Sequence, residues 1–220
     1  MKHILLSTII FFSVVATAFA QMPGMPGGSE QSSGSGLAGG GFFSGLKVTA
    51  GITGGDINFT DDTGNGMAAE FGPSLGYMLG LSKDYFFGES IVFQPGVALV
   101  GFSSKVVDMD YTYNIHYLSL NGNVLYRTPF SLYAGAGLFL DYGLFGNQGY
   151  PSGESSDIFE SGGFGRLNTG LNLEAGYPVA LGSDVFLSYR IGVNNVEGDD
   201  ASVGQTTKLR MFTLGVKYTL

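Results

Sequence analysis

The sequence predicts an all-β protein: an eight-stranded antiparallel transmembrane β-barrel, built as an up-and-down meander. Three observations carry this reading. Apolar residues recur at every second position in eight separate runs after Gly45. The positions between them hold mainly Gly, Ser, Thr and Asn, where a soluble sheet would show many Lys and Glu. The connections between the runs are alternately short and long. Alternation with period two means strands with two different faces. A second face that is small and nearly uncharged suits the crowded inside of a narrow barrel, with the apolar face turned to lipid.

The runs follow in order. Leu46, Val48, Ala50 and Ile52 alternate with Lys47, Thr49, Gly51 and Thr53. Phe71, Pro73, Leu75, Tyr77 and Leu79 alternate with Gly72, Ser74, Gly76 and Met78, after Glu70. Ile91 to Leu99 and Leu118 to Tyr126 repeat the pattern, with Val92, Gln94, Ser119 and Asn123 on the second face. Leu132 to Tyr142, Leu171 to Tyr177, Val185 to Val193 and Phe212 to Leu220 complete the set. The short connections are read at Ser82–Asp84, Thr128–Phe130 and Leu181–Asp184. An even strand number brings the first and last strands together in antiparallel fashion and puts both termini on the short-turn side. Closure is required because an open sheet edge has no hydrogen-bond partners in lipid. Eight strands leave an interior that side chains fill, so no open pore is expected. Pro73 and Pro95 conflict with an unbroken ladder and mark a lost bond or a bulge.

Ahead of the barrel, Met1-Lys2-His3 opens a mainly apolar stretch that ends at Ala18-Phe19-Ala20, a small-x-small cleavage site. Residues 1–20 therefore read as a secretory signal peptide. Residues 21–44 carry Pro23, Pro26 and many Gly and Ser, which reads as a flexible linker. Residues 45–220 form the barrel. Gly34-Ser-Gly36-Leu-Ala-Gly39 matches a dinucleotide fingerprint by spacing alone, since no strand precedes it and no amphipathic helix follows. No apolar run of 18 residues occurs after the signal, which rules out helical spans.

Composition narrows the function classes. The 220 residues include no Cys, which excludes disulfides, zinc–thiolate sites and a Cys nucleophile. Charged residues make up 13%, and 10 Lys+Arg against 18 Asp+Glu give a net charge of −8. A nucleic-acid partner is not expected, because phosphate binding needs a basic surface.

Candidate chemistry is sparse. Gly72-Pro-Ser74-Leu-Gly76 fits the GxSxG pattern, but Ser74 lies inside a period-two run and not on a strand-to-helix turn. His116 shares the outward face with Leu118 and Leu120. Lipid A deacylases pair His-x-Ser on the outer wall, whereas His116-x-x-Ser119 puts Ser119 on the other side. The loops hold Asp56, Asp61, Asp62, Asp108, Asp110, Glu154, Asp157, Glu160, Glu197, Asp199 and Asp200, a crown that reads as solvated. Asp61 to Gly66 imitates the start of a calcium loop, but the twelfth position is Gly72. No catalytic, cofactor or metal site is assigned. The inward parity of Lys47, Glu70, Asp141, Glu174, Arg190 and Lys217 predicts a structural ion network in the lumen, since buried charges must be paired. Pairing about a turn at Leu181–Asp184 sets Glu174 opposite Arg190 and predicts a salt bridge between them.

Gly45 to Gly51, Phe93-Gln94-Pro95-Gly96, Tyr117-Leu118 and Ala134-Gly135-Ala136-Gly137 together resemble the PorT-like outer-membrane β-barrel family of Gram-negative bacteria. The chain departs from that pattern at Asn121, which stands near a common Pro. The resemblance covers the barrel and implies a small integral outer-membrane protein without one fixed activity; some members assist secretion systems. Thr213-x-Gly215-x-x-Tyr218-x-Leu220 also resembles the C-terminal β-signal read during outer-membrane assembly, with Leu220 in place of a terminal Phe. The expected role is structural or interactive, not enzymatic. A lipid A-modifying enzyme and an accessory subunit of a secretion machine are the alternatives. Expected partners are outer-membrane lipids, the barrel assembly machinery, and envelope or secretion proteins.

Overall fold

The computed structural model describes residues 45–61, 75–106, 111–160, 164–180, 182–196 and 205–220. The segments expected to be signal peptide and linker, together with Glu70, Pro73 and Ser74, lie outside them. The strands are β1 (Leu46–Asp61), β2 (Leu75–Lys83), β3 (Tyr85–Phe87), β4 (Ile91–Val106), β5 (Tyr111–Arg127), β6 (Tyr133–Gly149), β7 (Ser155–Asp157), β8 (Leu167–Ala180), β9 (Ser183–Gly192) and β10 (Gln205–Thr219). Every pairing is antiparallel, and the order runs around to β2 on β4 and β10 on β1. This is a closed eight-stranded meander. β3 continues β2 within one wall strand, and β7 is an added ribbon on the upper part of β6.

The break between β2 and β3 has a local cause. β2 pairs with β4 down to Ser82↔Gly96, and β3 resumes in the same register at Tyr85↔Phe93. The interrupted stretch lies opposite Gln94 and Pro95, and proline has no N–H to give to a ladder. The strand therefore runs past Ser82–Asp84, where the sequence suggested a turn. The turn is instead Gly88–Ser90, with Gly88 at φ 74°. The β8–β9 hairpin is also tighter than expected, with β8 ending at Ala180, β9 starting at Ser183, and Gly182 at φ 74°. At the other end the expected long connection between the third and fourth runs shrinks to residues 107–110. Ser103 and Thr112 interrupt the apolar alternation there but not the ladder, which continues to Val106↔Tyr111. Asp56 and Asp61, expected in a loop, belong to β1.

Alternation sorts the side chains. In β9, Asp184, Phe186, Ser188 and Arg190 are buried, while Val185, Leu187 and Tyr189 are exposed. Among the described residues the wall follows this rule, apart from an irregularity at Leu144 and Phe145 in β6, and inverts a soluble protein. Leu79, Leu99, Leu138, Leu173, Leu187, Leu214 and Val216 face outward and exposed, while Lys47, Asp141, Arg190 and Lys217 are at most 5% exposed. Aromatic side chains flank the outer apolar belt, with Phe87, Tyr126, Tyr177 and Tyr218 toward the turns and Tyr77 and Phe145 toward the loops. Tyr77 and Phe87 stand ten positions apart on one wall strand. At ~3.3 Å per residue and a tilt of ~40° that spacing is ~25 Å, the height of a transmembrane belt.

The strand expected to close the barrel does so. β1 and β10 pair without interruption from Lys47↔Thr219 to Asp61↔Gln205. Gly215 sits on the inner side of this seam, where a Cβ would come within 2.7 Å of the Phe186 ring and 2.9 Å of the Gly51 Cα. Gly215→Val is expected to lower stability by about 1–3 kcal/mol through overpacking, whereas Val216→Leu, on the lipid side, is neutral. Urea unfolding of the two variants in detergent checks this; equal midpoints would mean that the seam is looser than its register implies.

Candidate functional site

The lumen is the candidate site, and strand parity builds it. Its polar side chains form three layers between the turns and the loops. In the layer nearest the turns, Lys47 on β1 sits between two carboxylates, with Nζ 2.7 Å from Asp184 Oδ2 and 3.0 Å from Asp84 Oδ2. Arg127 on β5 donates to the same Asp84 oxygen at 2.9 Å, and Gln94 Nε2 donates to Asp84 Oδ1 at 2.5 Å. The Arg127 guanidinium also lies 5.1 Å from the centroid of the Phe86 ring.

The middle layer centres on Lys217. Its ammonium donates to Glu174 Oε1 and to Gln94 Oε1, and lies 4.8 Å from the Phe186 ring centroid. Glu174 Oε2 accepts from Asn123 Nδ2 at 3.1 Å, and Asn123 Oδ1 accepts from Asn172 Nδ2 at 3.0 Å. In the third layer Arg190 NH1 donates to Asp141 Oδ1 at 3.2 Å and to Ser119 Oγ at 2.9 Å. Asn168 Nδ2 holds the other Asp141 oxygen at 3.2 Å. The Arg190 guanidinium lies 5.1 Å from the Phe139 ring centroid.

Five of the six residues expected in the lumen network thus lie in it, and Glu70 lies outside the described residues. The expected Glu174–Arg190 bridge does not form. β8 and β9 pair as Glu174↔Ser188 and Asn172↔Arg190, with an irregularity between Pro178 and Ala180. The register slips by two from the expected one. An even slip keeps both side chains inward and changes their partners. Both cations reach past the neighbouring strand instead: Lys217 on β10 meets Glu174 on β8, and Arg190 on β9 meets Asp141 on β6. Sequence reasoning missed Asp84, Asp184 and Arg127. Arg127 and Asp184 continue the inward parity of their runs by one step past the ends assigned to them, and Asp84 does so by three.

Above the third layer the lumen turns apolar. Ile158 and Phe164, which follow β7, pack over the barrel mouth, where Ile158 N donates to Gly146 O at 3.1 Å and Phe164 N to Ile158 O at 3.0 Å. Ile158, Phe164 and Val196 are buried together with Ile57, Phe102, Ile115, Tyr117 and Leu209. Room for this plug comes from two inward glycines of β6. A Cβ at Gly143 would overlap the Phe159 ring, and one at Gly146 would stand 2.7 Å from Ile158 Cδ1. Phe159 meets Tyr117 edge-on at 6.4 Å and carries the Arg166 guanidinium at 4.9 Å.

The remaining sequence candidates are dispersed. His116 is on the outer wall, where Nδ1 lies 3.1 Å from the Tyr77 hydroxyl and the ring stacks on Phe145 at 4.3 Å. Ser119 is fully buried in the lumen, across the wall from His116. Asp157 accepts from the backbone of Phe159 and Glu160 in its own turn. Among the described residues no three His, Asp or Glu converge as metal ligands. Of the expected assembly-signal residues, Thr213 and Gly215 face inward, while Tyr218 and Leu220 are exposed.

Neither a family model nor a curated protein matches the sequence, so the PorT-like resemblance gains no support from that side. Among solved structures the chain is similar in shape to the attachment invasion locus protein Ail of Yersinia pestis, with 15% identity over 80% of this chain and 98% of that one, at a TM-score of 0.44. Neisserial surface protein A gives 14% identity over 80% and 98%, at 0.48. The outer membrane protein OprG from Pseudomonas aeruginosa gives 14% over 81% and 97%, at 0.36.

Glu174→Gln leaves the Lys217 ammonium buried without its counter-charge and is expected to cost about 3–5 kcal/mol. Arg127→Gln removes a side chain that is 34% exposed and is expected to cost about 1 kcal/mol or less. Unfolding midpoints in detergent separate the two; equal losses would mean that water reaches the middle layer as freely as the turn end.

Proposed function

We propose that the chain is an integral outer-membrane β-barrel with a closed lumen, acting through its outer wall and loops in a structural or interaction role. Both termini then face the periplasm and the long connections face outside. The observation that carries this reading is the inversion of the wall, with Leu, Val and Tyr exposed in a belt while Lys47, Arg190 and Lys217 are buried in pairs. Such a surface is stable only against lipid, and it argues for membrane lipids as the first partner. The β-signal resemblance of Thr213, Gly215, Tyr218 and Leu220 supports insertion by the barrel assembly machinery, and an envelope or secretion partner would dock on the loops. PorT-like membership stays part of this proposal. The lipid A-modifying alternative is not favoured, because His116 and Ser119 lie on opposite sides of the wall.

A closed lumen makes a direct expectation. Protein reconstituted in planar bilayers should give no conductance steps, and unheated protein should migrate differently from heated protein on gels. Regular conductance steps would overturn the closed reading, and a helical circular dichroism spectrum would overturn the barrel. Orientation is tested separately. The chain has no Cys, so single cysteines can be labelled with an impermeant maleimide in intact cells. A cysteine at Glu154 should react and one at Phe130 should not; the reverse pattern would invert the proposed topology.

A further inference from the structure

We propose that the lumen holds a bound water molecule between its middle and upper ion pairs. Next to Lys217 and Arg190 lies a cavity of about 20 Å³, lined in part by Ser82, Asn172, Glu174 and Ser188. Four polar atoms on its lining residues have no partner among the described residues: Ser82 Oγ, Asn172 Oδ1, Ser188 Oγ and Arg190 Nε. All four residues are more than nine-tenths buried. Four such groups around one space are a built site, because buried polar atoms are rarely left without a partner.

The donor and acceptor pattern selects the occupant. Arg190 Nε can only donate and Asn172 Oδ1 can only accept, while the two hydroxyls can do either. A ligand there must accept one hydrogen bond and donate at least one. A bare cation would face the Arg190 and Lys217 charges, and an anion would face Asn172 Oδ1 and Glu174. The charges are already matched, Lys217 by Glu174 and Arg190 by Asp141. A neutral dipole is required, and size fixes which one. A water needs at least ~10–15 Å³ of such volume and two to four polar partners, which the cavity meets, whereas it is too small for an organic solute. The water joins Arg190 in the upper layer to Asn172. From Asn172 the bonds run through Asn123 to Glu174 and Lys217, so the upper and middle layers become one network.

The test is a high-resolution crystal structure of the full barrel grown in detergent with bromide present. The expected result is an oxygen peak within hydrogen-bond distance of Arg190 Nε, Asn172 Oδ1 and at least one of the two hydroxyls, with no anomalous signal. An anomalous peak would overturn the proposal in favour of a halide site. A featureless cavity, or rotation of the four side chains onto one another, would overturn it as well. In solution, amide-to-water cross-relaxation at Ser188 and Asn172 in micelles should show a long-lived water. Ser188→Val, which fills the space and removes one partner, should abolish that signal while the unheated gel shift is kept. A signal unchanged in that variant would assign the water elsewhere and overturn the site.

Discussion

Closure of the β1–β10 seam is the constraint on which the rest of the molecule depends. Within lipid each backbone N–H and C=O must find its partner inside the protein, and an uninterrupted register from Lys47↔Thr219 to Asp61↔Gln205 provides it. Closing at eight strands fixes a narrow interior. That width decides which inward residues are tolerated. Gly215, with the Phe186 ring and the β1 backbone pressed against it, shows how little room is left. The outer face has the opposite freedom, and it carries large apolar residues that are about half exposed.

The charges inside follow from the same geometry. Lys47, Arg127, Arg190 and Lys217 face Asp84, Asp141, Asp184 and Glu174 in pairs. Buried pairs of this kind are weak evidence for stability, because desolvation offsets most of the attraction. Their stronger effect is on register. If both faces of every strand were apolar, a slip by one residue would cost little. With Arg190 or Lys217 inward, the same slip would turn the charge into lipid and bring Leu or Val into the lumen. The ion pairs therefore define which face is which, and the apolar belt supplies the membrane affinity.

Strand number, closure and facing were legible because each rests on a period of two, which survives errors at strand ends. Partner choice was not, because it depends on absolute register. A turn placed over Leu181–Asp184, where β8 and β9 end at Ala180 and begin at Ser183, moved Glu174 from Ser188 to Arg190 while leaving both inward. The true pairs also cross the lumen between strands that are not neighbours, a relation that hairpin arithmetic does not contain. Asp84 was hidden for a different reason. Ser82-Lys83-Asp84 is a polar stretch that reads as a turn, whereas the strand passes through it, with the ladder to β4 broken only opposite Gln94 and Pro95. The apolar plug left only a faint trace, in Gly143 and Gly146 placed beneath Phe159 and Ile158. Their spacing of three follows from the irregularity between His116 and Tyr117, where the β5–β6 register shifts and both glycines come to face inward.

The two ends of the lumen are closed by different physics, and this bears on what the barrel can do. Toward the turns the closure is electrostatic. Arg127 is partly exposed there, and a cavity of about 410 Å³ lined by Lys47, Asp84 and Asp184 opens among the turn residues. Water and ions can compete with those pairs. Toward the loops the closure is apolar, with Ile158, Phe164 and Val196 packed on Ile57, Ile115 and Leu209. Exposing such a cluster to water carries a hydrophobic cost that salt does not screen. A solute entering from the turn side would meet ion pairs that it can rearrange and then a dry wall that it cannot hydrate. A solute from the loop side would meet the dry wall first. The resistance to passage therefore lies at the loop end, where Ile158, Phe159 and Phe164 pack. Pulling Phe159 away from Tyr117 would act on an end of the lumen that polar contacts alone do not hold shut.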